Sequence, residues 1–149
     1  IYQAFYDDYA TMKAFLHSHS YTGNPLACAV AIEVLNIFEE ERILEALKPR
    51  MALLAEQAER FEALPHVGEF RQCGMVAAVE MVREKDGRIA YPWQERRGLE
   101  VYKRALGRGA LLRPLGNVVY FMPPLNIPME DLQKLVDIAF EAVTEVTAD

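Results

Sequence analysis

One segment restricts the fold of this chain more than any other: a helix start followed by a long apolar run. The start is Thr22-Gly23-Asn24-Pro25, in which Asn24 suits the N-cap position and Pro25 suits the first helical turn. Residues 26–32 are all apolar, so the helix that continues to Phe38 is apolar on several faces. Such a helix is typical of one packed against other structure on most sides. The pattern therefore predicts a core helix over 26–38.

The rest of the chain alternates between helical and strand periodicity. Residues 1–16 carry no sustained period and are a loop or a short helical entry. Steps of three or four between apolar residues, and shorter runs bounded by turn residues, predict the other elements. The predicted helices are 39–64, which Pro49 must kink or restart, 93–106 and a last helix from Pro128, and the predicted strands are 67–71, 75–82, 110–113 and 118–122. This order predicts helices packed on an antiparallel or mixed sheet, locally an α+β arrangement.

Composition and charge exclude several classes of protein. With 149 residues, 52% hydrophobic and 26% charged, the chain can form one globular domain, or a large piece of one, and is not disordered. The net charge of −6 disfavours nucleic-acid binding, because such a chain repels a phosphate backbone. No apolar run has the ~18 residues of a membrane span, and Cys28 and Cys73 lie far apart. We expect a cytoplasmic protein with reduced thiols, no membrane contact and no metal site.

The densest group of reactive side chains is His17-Ser18-His19-Ser20, just before the capped helix. The histidines could ligate a metal and a serine could be a nucleophile, but the further zinc ligands and the carboxylate of a hydrolase are missing nearby. Unpaired N–H groups at the helix start, together with the Ser20 hydroxyl, could instead bind a phosphate. A capped helix behind a polar loop, with no ligand, is the more common arrangement for such a segment.

Arg113 is the second candidate for a ligand-binding residue. It lies among leucines at the end of a predicted strand, where Pro114 favours extended backbone. A guanidinium in that setting suits an anion, either the carboxylate of a ligand or an Asp or Glu of the protein itself, and the remaining alternative is an arginine that is simply solvated. Tyr120 could point its hydroxyl to the same pocket or could belong to the core. The residues by themselves leave these alternatives open.

Three stretches together resemble the class III pyridoxal-phosphate aminotransferases. They are LHSHSYTGNPLACA at 16–29, LPHVGEFRQCG at 64–74 and LRPLGNVVYFMPP at 112–124. The GNPLA core is shared across the class. Its combination with Arg-Pro-Leu-Gly narrows the resemblance to the members that convert 8-amino-7-oxononanoate to 7,8-diaminononanoate in biotin biosynthesis.

The resemblance implies an α/β enzyme of fold-type I that is a cytoplasmic homodimer with shared active sites. Its cofactor is then pyridoxal 5'-phosphate, held by a lysine, and its substrates are a small keto acid and an amino donor. Residues 1–38 are implied to be the end of the large domain, with the interface segment and the first helix. Residues 39–149 are implied to be the C-terminal small domain, an antiparallel or mixed sheet with helices.

The resemblance also assigns roles to individual residues. His19 and Ser20 fall where the family contacts the cofactor phosphate of the neighbouring subunit. Ser18 falls near the substrate, at a position that is usually glycine. Arg113 falls on the arginine that binds the carboxylate of the keto acid, and Tyr120 lines the same pocket.

The catalytic lysine of the family has no counterpart in this chain. In the family it lies in a motif upstream of the His-Ser-His-Ser region, and none of the five lysines has that setting, including the nearest, Lys13. The chain also begins with Ile1 instead of Met. We therefore expect the C-terminal third of a longer enzyme, inactive by itself and without a catalytic residue of its own.

Other functions stay open at this point. The amino donor is adenosylmethionine or lysine, since enzymes of similar sequence use either one. The chain could also belong to another class III transaminase, acting on acetylornithine, 4-aminobutyrate or an ω-amino acid. A non-catalytic binding domain of the same fold is the alternative from a different class.

Overall fold

The structure, a computed structural model, describes residues 1–148 and divides into two compact units. The first unit is Ile1–Glu40, and the second begins at Glu41. The helices of the described residues are α1 (Tyr2–Phe5), α2 (Pro25–Glu40), α3 (Ile43–Ala46), α4 (Lys48–Glu56), α5 (Ala58–Glu62), α6 (Arg97–Gly107) and α7 (Met129–Thr147). The strands are β1 (Val67–Cys73), β2 (Val76–Glu84), β3 (Ile89–Ala90), β4 (Arg113–Leu115) and β5 (Val118–Phe121).

The long helix of the first unit begins as its sequence predicts. The N–H groups of Leu26 and Ala27 donate to Oδ1 of Asn24 at 3.0 and 3.2 Å. Asn24 is therefore the N-cap, and its side chain satisfies two donors that a helix start leaves unpaired. The short helical entry is also present, as α1 followed by a single 3₁₀ turn at Tyr9–Thr11.

The prediction that this helix is buried is wrong for the structure described. No residue of α2 is buried, and Leu26 and Leu35 expose 78% and 66% of their surface. The first unit contains one long helix and no second apolar layer, so nothing within it can cover these side chains.

The helices of the second unit are shorter than the periodicity suggests. The stripe 39–64 is divided into α3, α4 and α5, and Pro49 is near the start of α4, where its missing N–H is not needed. The restart at this proline is therefore confirmed. The last helix begins directly after Pro128, as predicted, and continues to Thr147. Within residues 1–148 no helix has both the length and the apolar character needed to cross a membrane.

The strands form one antiparallel sheet in the order β1-β2-β5-β4, with β3 paired to β2. The expected antiparallel pair β1–β2 turns at Gly74, and β4–β5 turns at Gly116. Both glycines have positive φ, 59° and 62°, which explains why glycine occupies these turns. The second unit is thus an antiparallel sheet with helices, as the fold class expected for the small domain requires.

The register separates the residues of the sheet into two faces, because directly opposed residues point to the same side. One cross-strand row is Phe70, Val79, Val119 and Pro114, and its central valines are each 1% exposed. We call this side the core face. The neighbouring row is Arg71, Ala78, Tyr120 and Arg113, none of which is buried. We call this second side the open face.

The core lies between the core face and the helices, around Phe61. This side chain is fully buried, and its ring centroid lies 5.6 Å from Phe70, 6.2 Å from Phe121 and 5.4 Å from Phe140. These distances suit offset and edge-to-face aromatic packing, which adds to the free energy of apolar burial. Phe61 therefore joins α5, the sheet and α7 in one cluster.

Two predicted elements have different boundaries in the structure. The helix expected over 93–106 is divided into a 3₁₀ turn at Trp93–Glu95 and helix α6. Arg96 lies between them in the left-handed region, with φ of 50°. The strand expected over 110–113 begins only at Arg113, because the Ala110 N–H donates to the Ala105 carbonyl at 2.9 Å and ends the preceding helix. Gly109, with φ of 86°, makes this helix ending possible.

Candidate functional site

Two arginines lie in the same row of the open face, but their charges are compensated differently. Arg71 donates to Glu69 at 2.8 Å and also to Glu80. These hydrogen bonds raise the pKa of the Arg71 guanidinium, with Glu80 the larger cause, and the bond from Arg71 lowers the pKa of the Glu69 carboxyl. Arg88 adds a second cation 3.3 Å from Glu69. The charge of Arg71 is thus paired with two of the protein's own carboxylates.

Arg113, at the other end of the row, has no such partner. Its side chain makes no hydrogen bond and no ion pair with any group in residues 1–148. The alternative of an internal salt bridge, left open by the sequence, is therefore excluded for the described part of the chain. A guanidinium on a protein surface surrounded by leucines is available to an external anion.

A cavity of about 300 Å³ lies beside this arginine. Apart from Arg113, its walls are two tyrosines and four apolar residues, namely Tyr102, Tyr120, Leu111, Leu112, Pro114 and Met122. Arg113 is the one charged residue among the lining residues described. The cavity can therefore accept a single negative charge attached to an apolar body.

Tyr120 is brought to this cavity by strand pairing. It is the direct cross-strand neighbour of Arg113 in the β4–β5 ladder, so the two side chains project from the same face. Tyr120 is half-buried and lies on the open face, which excludes the alternative of a core tyrosine. The structure therefore brings Arg113 and Tyr120 together, as the resemblance implies.

A close backbone contact holds the β4–β5 hairpin against helix α6. At Gly98, an added Cβ would lie 2.3 Å from the carbonyl oxygen of Gly116 and 3.1 Å from Cβ of Pro114. Only glycine permits this approach, because any Cβ would overlap the turn. The position of Arg113 thus depends on a glycine in a different element.

The His-Ser-His-Ser segment belongs to the first unit, where ring contacts connect its alternate residues. Ring centroids of Phe15 and His17 are 5.6 Å apart, those of His17 and His19 are 4.8 Å apart, and those of His19 and Tyr21 are 5.3 Å apart. The intervening Ser18 and all of these residues are exposed. The segment then turns, with the Thr22 N–H donating to the His19 carbonyl at 2.9 Å.

The donors available to a phosphate here differ from those that the sequence suggests. Asn24 already occupies the N–H groups of Leu26 and Ala27, so the helix start offers fewer unpaired donors than expected. The Ser20 hydroxyl makes no hydrogen bond within the described residues, and the His19 ring contacts only neighbouring rings. Ser20 and His19 are thus among the side chains of this turn that can still donate to a phosphate.

Several lysines of the chain bind groups of the protein. Lys13 pairs with Asp7, Lys85 donates to main-chain carbonyls, including Leu64 at 3.3 Å, and Lys103 pairs with Glu100 at 2.8 Å. Within residues 1–148 there is no group of three or more side chains arranged to hold a metal ion.

Tyr102 is the lining residue that sequence reasoning missed. It lies in the amphipathic stripe of α6, where nothing in its spacing distinguishes it from other helix residues. Its orientation follows from the burial of the neighbouring Val101, which only the folded structure shows.

Comparison with known proteins places these features in a family context. The model of the family "Aminotransferase class-III" matches residues 2–143. The chain is 44% identical over 147 residues to an adenosylmethionine-8-amino-7-oxononanoate aminotransferase of Anoxybacillus flavithermus and 45% identical over 147 residues to the protein of the same name from Geobacter sulfurreducens. Each alignment covers 99% of this chain and 32% of the relative, so the chain spans about a third of the length of the curated relatives it matches.

Solved structures agree with this similarity. The crystal structure of adenosylmethionine-8-amino-7-oxononanoate aminotransferase from Methanocaldococcus jannaschii superimposes with a TM-score of 0.87 at 34% identity, covering 97% of this chain and 33% of that one. An aminotransferase from Vibrio fluvialis in its PMP-bound form has a TM-score of 0.85 at 22% identity, over 94% of this chain and 31% of that one, which shows likeness of fold alone.

Proposed function

Since the chain belongs to the class III aminotransferase family, as its motifs predict, we propose that it is the C-terminal third of an enzyme that transfers an amino group to 8-amino-7-oxononanoate. The product is 7,8-diaminononanoate, a precursor in biotin biosynthesis. The names of the relatives at 44% and 45% identity support this acceptor, and they support adenosylmethionine over lysine as the amino donor.

The observation that carries the proposal is the uncompensated Arg113 in an apolar cavity. The acceptor is a monocarboxylate with an apolar chain, so it needs one cation and apolar walls, and the cavity provides both. The guanidinium binds the carboxylate through two parallel hydrogen bonds, which orient the substrate as well as hold it. The leucines and Met122 pack against the carbon chain and exclude water from it.

Pyridoxal 5'-phosphate is the proposed cofactor, and two side chains of this unit fit its phosphate. Ser20 has an unpartnered hydroxyl, and His19 has an exposed ring on a turn that directly precedes a helix. When bound, this cofactor supplies the carbonyl carbon that carries the amino group from donor to acceptor. Ser18, between the two histidines, has the exposure needed to contact the substrate. The lysine that holds the cofactor is proposed to lie in the part of the enzyme outside this chain.

The proposed assembly is a cytoplasmic homodimer with shared active sites. In it the segment with Ser18, His19 and Ser20 reaches the active site of the neighbouring subunit, and the exposed apolar side chains of α2 are covered. Residues 1–38 are then the end of the large domain, and residues 39–149 are the small domain.

Replacement of Arg113 tests the proposed acceptor site. In the full-length enzyme, Arg113→Lys should raise KM for 8-amino-7-oxononanoate about tenfold or more, because an ammonium cannot bind a carboxylate through two parallel hydrogen bonds. Arg71→Lys is the matched control, since Arg71 lies in the same row but is occupied by Glu69 and Glu80. An unchanged KM in Arg113→Lys would remove this arginine from the substrate site.

Another class III transaminase is the second candidate function. Its support is a thermostable omega transaminase from Pseudomonas jessenii, which superimposes with a TM-score of 0.82 at 33% identity over 93% of this chain and 31% of that one. A panel of amino acceptors distinguishes the two. Activity of the full-length enzyme with an ω-amino acid pair, and none with 8-amino-7-oxononanoate, would favour the second candidate.

A further inference from the structure

We propose that Tyr102 is a substrate-binding and specificity-determining residue, whose hydroxyl donates a hydrogen bond to the carboxylate held by Arg113. This inference rests on the proposed function of the cavity at β4. Tyr102 reaches the cavity from helix α6, on a different wall from the β4–β5 hairpin that carries Arg113 and Tyr120. Three donor side chains from three elements therefore surround one space.

A carboxylate can accept more hydrogen bonds than one guanidinium donates to it. Its two oxygens offer about four acceptor positions, and a guanidinium that binds through two parallel bonds uses two of them. When substrate binding removes the carboxylate from water, the remaining positions need donors, because an unsatisfied charged group is costly to bury.

The cavity walls contain few other side-chain donors. The other lining residues are leucines, proline and methionine, and none has a side-chain hydrogen-bond donor. The hydroxyls of Tyr102 and Tyr120 are thus the neutral side-chain donors among the described lining residues. Neither hydroxyl donates to another group within residues 1–148, so both are available.

The packing of α6 holds Tyr102 in place, as a binding residue requires. Val101 and Ala105 on this helix are fully buried in the core, which prevents its rotation. Gly98 fixes the helix against the turn of the hairpin at Gly116. Tyr102, one residue after Val101, is half-buried and is therefore positioned by the core instead of by the ligand.

The expected selectivity follows from the single charge of the cavity. One guanidinium and two phenols satisfy one carboxylate completely, whereas a second carboxylate on the acceptor would have no cation among the described lining residues. The site therefore favours acceptors that have one carboxylate on an apolar chain, and Tyr102 contributes to this preference through its hydroxyl.

The test uses Tyr102→Phe in the full-length enzyme, which removes the hydroxyl and keeps the ring. KM for 8-amino-7-oxononanoate should rise about tenfold, the usual effect of losing a hydrogen bond to a charged group, with kcat within about twofold of the wild type. The methyl ester of the same acceptor keeps a carbonyl oxygen but has no charge, so its KM should rise by a clearly smaller factor than that of the acid. Tyr91→Phe is the matched control, a buried tyrosine outside this cavity whose variant should change neither constant.

The outcomes separate this inference from the proposed function. If Arg113→Lys raises KM and Tyr102→Phe does not, Tyr102 does not bind the substrate, although the acceptor site stands. If Tyr102→Phe changes KM equally for the acid and the ester, its role is structural, and the inference is overturned. If neither variant affects KM for the acid, both the inference and the acceptor site are wrong.

Discussion

The contact between Gly98 and the β4–β5 turn gives a sharp test of how the second unit is packed. An alanine Cβ at Gly98 would lie 2.3 Å from the Gly116 carbonyl oxygen, far below the 3.0 Å that real Cβ atoms respect. The obstacle is main chain and not the end of a flexible side chain, so the helix or the hairpin must move by on the order of 1 Å. Overpacking of this kind costs about 1–3 kcal/mol of folding free energy.

A second glycine in the same helix is the control. Gly107 has no atom within 4 Å of an added Cβ, so Gly107→Ala reports only the general effect of replacing glycine. That effect stabilises a protein by about 0.4–1 kcal/mol through the unfolded state. The same gain applies at Gly98 and offsets part of the overlap, which leaves a net loss of about 1–2 kcal/mol in Gly98→Ala.

Urea and thermal unfolding of the 149-residue chain, followed by circular dichroism, measure both variants. For a chain of this length, each kcal/mol changes Tm by roughly 2–4 °C, so Gly98→Ala should melt several degrees lower and Gly107→Ala slightly higher than the wild type. If Gly98→Ala is as stable as Gly107→Ala, the close approach of α6 to the hairpin does not exist in solution, and the argument for how Arg113 is positioned fails.

Two further predictions concern the core and the pH dependence of stability. Phe61→Ala removes a fully buried ring with three aromatic neighbours and should lower the free energy of unfolding in urea by about 3–5 kcal/mol, whereas a loss below about 1 kcal/mol would show that Phe61 is not at the centre of the core. The hydrogen bond from Arg60 lowers the pKa of the Asp137 carboxyl below its ordinary value. The ionised Asp137 therefore stabilises the folded state fully above its unfolded pKa near 4, and this stabilisation is lost as the pH falls through its lower pKa in the folded state. The free energy of unfolding should therefore decrease in this acidic range, and the decrease should be smaller in Asp137→Asn. Urea titrations of both proteins at several pH values measure it. An identical decrease in the variant would exclude the Arg60–Asp137 pair as a cause.

Local sequence predicted the fold wherever neighbouring residues decide the backbone. Asn24 caps α2 through its own side chain, and Gly74 and Gly116 occupy turns that require positive φ. The β1–β2 pair and the last helix follow from hydrophobic periodicity and from the glycine or proline at their boundaries. These features depend on a few adjacent residues, which a sequence displays directly.

The wrong predictions concern the burial of one helix and the ends of two other elements. The apolar run of α2 predicts burial, but burial depends on what covers a helix, and the first unit contains no covering layer. The strand at Arg113 begins later than its apolar run because Ala110 still bonds to the preceding helix. Arg96 breaks the expected helix with a left-handed residue that no propensity rule requires there.

The residues of the candidate site were also only partly predictable from the sequence. The motifs at 16–29 and 112–124 were sufficient to indicate the family and to select Arg113 and Tyr120 as its candidate residues. They did not indicate Tyr102, because its helix and the hairpin are separate in sequence and meet only in the folded unit.

By itself the sequence determined the family, the helix caps, the turns and most of the strand pairing, because each depends on residue types at short spacing. Tertiary structure alone decided which arginine is free. Arg71 and Arg113 are both exposed strand arginines, and although only Arg113 has leucines beside it in the sequence, that setting does not exclude an ion pair with a carboxylate elsewhere in the fold. Glu69 on the same strand and Glu80 on the neighbouring strand lie beside Arg71, whereas an apolar cavity lies beside Arg113. Whether an arginine is free to bind an external anion depends on which groups lie beside it, and those neighbours are set only when the chain folds.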